Sequence, residues 1–159
     1  MTEEQKNLID AKKVYEALCA MLNDRNWHYQ KQEEKLSITC GAQGEDLPMY
    51  ISMEVDAKRQ LVLLLSQMPF PVAENRRDAL AVAVSNANRN IVDGSFDYDY
   101  LSGKIIFRMT SSYRGCTVGK EMLDYMLGCS CGTIDYFNDK FLAVAKNDMS
   151  FEQILEFIQ

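Results

Sequence analysis

The chain has 159 residues, a formal net charge of −6 and a sequence pI near 4.8. Hydrophobic residues make up 47% and charged residues 25%, so one globular domain over residues 1–159 is expected. A chain this long should bury roughly 68–70% of the surface it exposes when unfolded. Adjacent basic residues occur only as three short pairs, Lys12-Lys13, Lys58-Arg59 and Arg76-Arg77. That argues against nucleic acid and against an anionic membrane surface, which both need clustered cations.

No apolar run approaches the roughly 18 residues of a membrane span. The opening, MTEEQKNLID, lacks the basic and apolar regions of a secretory signal, so a cytoplasmic location is expected. Five cysteines are an odd count, and in a reducing compartment they are expected to be free thiols.

The first segment reads as a helix. Thr2 and Gln5 fit a capping box, and Leu8, Ala11, Tyr15, Leu18 and Leu22 recur at helical spacing until Asn23-Asp24. Short alternating stretches follow. Trp27 and Tyr29 alternate with polar residues, and Leu36, Ile38 and Cys40 do so after a charged turn, QEEK. Met49, Ile51, Met53 and Val55 form the clearest strand. After a turn from Asp56 to Arg59, the run LVLLL is apolar on both faces. Either both sides of the sheet are covered there or one waits for a partner.

Met68-Pro-Phe-Pro71 is a rigid connector, with a helix expected behind it. Leu80, Val84, Ala87 and Ile91 mark that helix's apolar stripe, and Asp93-Gly94 is its expected stop. Phe96, Tyr98 and Tyr100 alternate with Asp97 and Asp99, Ser102-Gly103 turns, and Ile105, Phe107 and Met109 return on one face. Helical spacing resumes from about Thr117 through Met122, Met126, Cys129, Ile134, Phe137, Phe141 and Ala145. A kink or break is expected at GCSCG (Gly128–Gly132), since two glycines four apart each weaken a helix by roughly 1 kcal/mol relative to alanine. Ser150 and Gln153 form a second capping box that opens a short last helix. The order is α-β-β-β-β-α-β-β-α-α, an α+β chain.

The segment NANRNIVDGSFDYDYLSGKIIFR carries a resemblance: an Asn-rich helix end, a Gly-x-Phe strand start, a short hairpin and a strand ending in Arg. It resembles the YbjN-like family of bacterial sensory transduction regulators, over roughly Leu47 to Val144. The first strands fit that pattern less well, and GCSCG stands outside it. The resemblance implies a type III secretion chaperone-like fold, with a curved antiparallel sheet, helices packed on it and often a homodimer. It implies no catalytic residue.

The candidate chemistry divides among three places. Cys129 and Cys131 could hold zinc or act as redox thiols. However, Cys-x-Cys is tighter than usual ligand spacing, and Cys19, Cys40, Cys116 and His28 are scattered. Small buried side chains explain GCSCG better, because they let a helix approach its neighbours closely. The loop 111–118 holds Tyr113, Arg114 and Thr117 ahead of a helix N-terminus, a place that can bind an anion or small ligand. Asp97 and Asp99 share a strand face and read as a solvated face rather than an acid–base pair, and His28 reads as a partly exposed strand residue. The third place is apolar. The two-faced strand and the nine methionines suggest a protein-binding surface, with Val62, Leu64, Met49 and Met53 as its candidates. The expected function is a non-enzymatic protein-binding or regulatory module. It needs no cofactor and is expected to pair with itself and with a partner protein.

Overall fold

The chain begins with the expected cap. The Gln5 amide N–H donates to Thr2 Oγ1 at 3.2 Å, and the Thr2 amide N–H donates to Gln5 Oε1 at 2.9 Å. In a computed structural model covering residues 1–159, this cap opens α1 (Glu3–Asp24). Four strands follow: β1 (Tyr29–Gln32), β2 (Ser37–Gln43), β3 (Pro48–Asp56) and β4 (Leu61–Gln67). Then come α2 (Arg77–Asn88), the hairpin β5 (Ser95–Asp99) and β6 (Lys104–Ser112), α3 (Lys120–Lys146) and α4 (Phe151–Phe157). The order of elements is the one read from the sequence.

All strands are antiparallel, in the order β1-β2-β3-β4-β6-β5. The helices lie against one face. The inward row Ile38–Met53–Leu64–Met109 runs across four strands and is buried throughout. Helix α1 packs on β3 and α3, while α2 packs on α3, α4 and β5. One cluster of 37 buried hydrophobic residues joins them all. At one end Phe96 meets Phe107, Phe137 and Phe141 edge-on, with ring centroids 5.2, 5.7 and 4.9 Å away.

Three local expectations change. Helix α2 stops at Asn88, short of Asp93-Gly94, and Ile91 lies beyond it, half-buried. The Asn88 side chain is the reason. Its Oδ1 accepts from the Phe96 amide at 2.8 Å, and its Nδ2 donates to the Phe96 carbonyl at 2.9 Å. The amide thus imitates a neighbouring strand and covers the outer edge of β5 at that point. Leu8, counted on the apolar stripe of α1, is 43% exposed.

The third change concerns GCSCG. Helix α3 runs through it without a break for 27 residues. Two helical glycines cost about 2 kcal/mol together. One face of α3 buries Leu123, Met126, Leu127, Ile134, Phe137, Phe141 and Val144, each contributing roughly 1.5–3 kcal/mol. Packing therefore outweighs propensity. Nor do the glycines serve close approach within the chain. A Cβ on Gly132 would meet nothing within 4 Å, and one on Gly128 would meet only the Arg25 guanidinium, at 3.5 Å.

Candidate protein-binding surface

Alternation along a strand sends successive side chains to opposite faces, so the sheet has an outer face bearing no helix. Its centre is β4. Leu61, Leu63 and Leu65 point outward and are half-buried, while the alternating Val62, Leu64 and Ser66 are buried on the helix side. One outward row beyond Leu65, Ile106 on β6 pairs with Gln67, and Tyr50 on β3, 63% exposed, lines the same groove as Leu65. The surround is polar: Thr39, Ser52, Glu54, Thr110 and the pair Asp97–Arg108, whose carboxylate and guanidinium meet at 2.6 and 3.2 Å. A shallow groove of about 630 Å³ crosses this face from His28 past Gly41, Tyr50 and Ser52 to Leu65 and Ile106. Gly41 leaves the groove open, because its missing side chain would stand on the outer face beside Tyr50.

The four candidates Val62, Leu64, Met49 and Met53 are therefore on the other face. They are 0, 0, 5 and 0% exposed and pack beneath the helices, so they are core residues rather than a binding surface. Strand phase decides this. Val62 pairs with Val55 and Leu64 with Met53, and paired residues share a face. The alternation of Tyr50, Ser52 and Glu54 with Met49, Ile51, Met53 and Val55 marks the outer side of β3. Carrying that phase across the turn to Leu61, Leu63 and Leu65 is the signal that identifies the outer leucines.

The loop candidates stay near one another but divide in role. Tyr113 is 3% exposed and its hydroxyl donates to the Asp56 carbonyl at 3.1 Å, so it anchors the end of β6 to the β3–β4 turn. Arg114 Nε donates to Gln60 Oε1 at 3.2 Å, and Thr117 is exposed. The cleft beside them is lined by Glu3 and Asp10 as well as Lys6 and Lys13. With Arg114 also on its wall, the cleft mixes three cations with two carboxylates.

Cys129 and Cys131 diverge. Two residues on a helix are about 200° apart around the axis, so the two sulfurs do not converge on one ion. No three His, Cys, Asp or Glu side chains are placed to hold a metal. Burial raises the Cys131 thiol to about 11, against the pull of the Arg25 cation, and raises Cys40 to about 11 as well. Thiols held so far above neutrality carry little nucleophilic thiolate. Asp97 is ion-paired, and Asp99 accepts from Ser102 Oγ at 2.5 Å and from the Leu101 amide at 3.1 Å, which fixes the β5–β6 turn. His28 stands at the mouth of the outer groove.

The YbjN family model, described as "Putative bacterial sensory transduction regulator", matches residues 15–143. The chain belongs to the YbjN family. The match takes in β1 to β3 and GCSCG, so it reaches further toward the N-terminus than the segment around the hairpin. Solved YbjN-like folds agree. The protein in "Crystal structure of YbjN, a putative transcription regulator from E. coli" is 12% identical with a TM-score of 0.60; the match covers 81% of this chain and 91% of that one. A chain in "Structure of the HopA1-SchA Chaperone-Effector Complex" is 13% identical with a TM-score of 0.56, covering 85% and 97%. One in the ExsC-ExsE complex is 15% identical with a TM-score of 0.58, covering 81% and 93%. At these identities the likeness is one of fold, and the fold is type III secretion chaperone-like. A comparison with curated protein sequences finds no match. No helix of this YbjN-family chain is long and apolar enough to cross a membrane.

Proposed function

We propose that the chain is a non-enzymatic protein-binding or regulatory module of the cytoplasm, working as a homodimer, that seats a segment of a partner protein on the outer face of its sheet. The observation that carries this reading is the uncovered stripe Leu61, Leu63 and Leu65 with Ile106 and Tyr50, apolar at its centre and polar at its margin. That is the anatomy of a protein interface. The solved neighbours named for chaperone–effector and ExsC–ExsE complexes support a protein partner. Charge narrows the partner's chemistry. The chain carries −6 overall, and Glu54 on the outer face takes part in no ion pair. The matching segment is apolar in its middle and basic at its ends.

The test has two stages. A protein captured from native extract is identified and purified, and its binding to the purified chain is measured by calorimetry. Leu63→Lys with Leu65→Lys abolishes that binding while far-ultraviolet circular dichroism stays unchanged. Undiminished binding by the doubly substituted chain sinks the reading.

A further inference from the structure

The face of α3 turned away from the core has no role so far. It presents Glu121, Tyr125, Gly128, Gly132 and Tyr136 to solvent, with Cys129, Thr133 and Lys140 half-buried along its border. At about 100° per residue these eight positions fall within roughly 140° of the helix circumference. A groove of about 660 Å³ runs beside them, walled on its far side by Asn90 to Asp93 and closed at one end by Gln159. The tyrosines are held in place. Tyr125 hydroxyl bonds Asp93, and Tyr136 hydroxyl donates to the Gln159 carbonyl at 2.8 Å. Val92, 95% exposed, stands on the groove's rim.

We infer that this face receives the α3 of a second copy, running antiparallel about a two-fold axis at the midpoint between Ser130 and Cys131. The sequence is self-complementary about that point. Glu121 then lies opposite Lys140, Tyr125 opposite Tyr136, Gly128 opposite Thr133, and Cys129 opposite Gly132. An isologous contact requires this kind of reciprocal pairing. Charge complementarity is the telling part. Neither Glu121 nor Lys140 takes part in an ion pair within the chain, Lys140 Nζ being held only by the Tyr136 carbonyl at 2.8 Å and its ring at 4.0 Å, and both two-fold-related pairs join opposite charges. The side chains between them along the face carry no net charge, and Gly128 and Gly132 let the second helix come close. The glycines that weaken α3 without helping it pack on its own core are explained by a backbone that another helix must approach.

The contact is modest. From Glu121 to Lys140 the face is roughly 28 Å long at about 1.5 Å per residue, and a helix is about 10 Å wide. That is well below the roughly 800 Å² per partner of a standard stable interface, so the pairing depends on concentration. The inference rests on the self-association proposed above and names its surface, leaving the sheet's outer face free for the other partner.

Sedimentation equilibrium over the micromolar to millimolar range reads the association. Glu121→Lys or Lys140→Glu alone raises the dimer dissociation constant by about tenfold, and the two together restore it to within about threefold. Separately, Gly132→Cys places a thiol opposite the partner's Cys129. Diamide, a diazene oxidant, takes two electrons and two protons from each thiol pair, becomes the hydrazine, and links the copies. Adding Cys129→Ser abolishes the link. A dimer that ignores the charge reversals and does not cross-link overturns the α3 contact while leaving self-association standing. A chain that stays monomeric throughout overturns both.

Discussion

The assignment of β4's two faces can be tested by one substitution made twice. Leu64 is fully buried, in a row with Met53 and Met109 beneath the helices. Replacing it with threonine removes about two methylene equivalents, near 1.6 kcal/mol of transfer free energy. It also leaves a cavity costing about 1 kcal/mol and strands a hydroxyl costing roughly 1–3 kcal/mol more. Leu64→Thr should therefore destabilise by about 4 kcal/mol. Leu65, one residue on, faces the open side. There water fills the vacated space, the hydroxyl is solvated, and threonine suits a strand, so Leu65→Thr should cost about 1 kcal/mol. Trp27 is the only tryptophan, with the Arg25 guanidinium 6.0 Å from its ring, and its fluorescence can follow urea unfolding. Linear extrapolation gives both values. Equal costs within about 1 kcal/mol would refute the reasoning, because they would mean that both faces of β4 are closed.

Asn88→Ala removes both bonds to the Phe96 main chain and uncovers the β5 edge. A loss of about 2 kcal/mol is expected, with faster hydrogen exchange at the Phe96 amide and earlier aggregation on heating. Gly103→Ala forces a side chain onto a residue at φ +74°, with its Cβ 2.9 Å from the Val72 carbonyl oxygen, and should lower the melting temperature by several degrees. Gly132→Ala, on a helical residue with open space around it, should raise stability by roughly 0.5–1 kcal/mol in dilute protein. The buried thiols set an alkaline limit. The folded values of Cys40 and Cys131 lie above the ordinary 9.0, so the native state favours the protonated thiols. Their contribution is fully present below pH 9 and is lost as pH rises through about 11, which denaturation midpoints across that window will register. By the same argument, alkylation near pH 8 should modify exposed Cys116 well before Cys40 or Cys131, as peptide mass mapping over time would show.

Local sequence signals determined most of the architecture. Both capping boxes, the alternation of β3 and the Ser102-Gly103 turn act over a few residues, and each can be read where it stands. The order of elements followed, and so did the family resemblance carried by the segment around the β5–β6 hairpin. Tertiary structure decided the rest. LVLLL is apolar at every position, so its own pattern cannot say which residues face the helices; the pairing of Val62 with Val55 and Leu64 with Met53 does. The helix end at Asn88 depends on Phe96, a residue in another element whose main chain the amide must reach. The continuity of α3 through two glycines reflects apolar burial against β6 and α2, and that burial exceeds the local propensity cost by several kcal/mol. Signals between neighbours in the chain are written in the sequence directly, whereas which face of the sheet stays open rests on which side the helices cover, and that is settled only when distant segments meet.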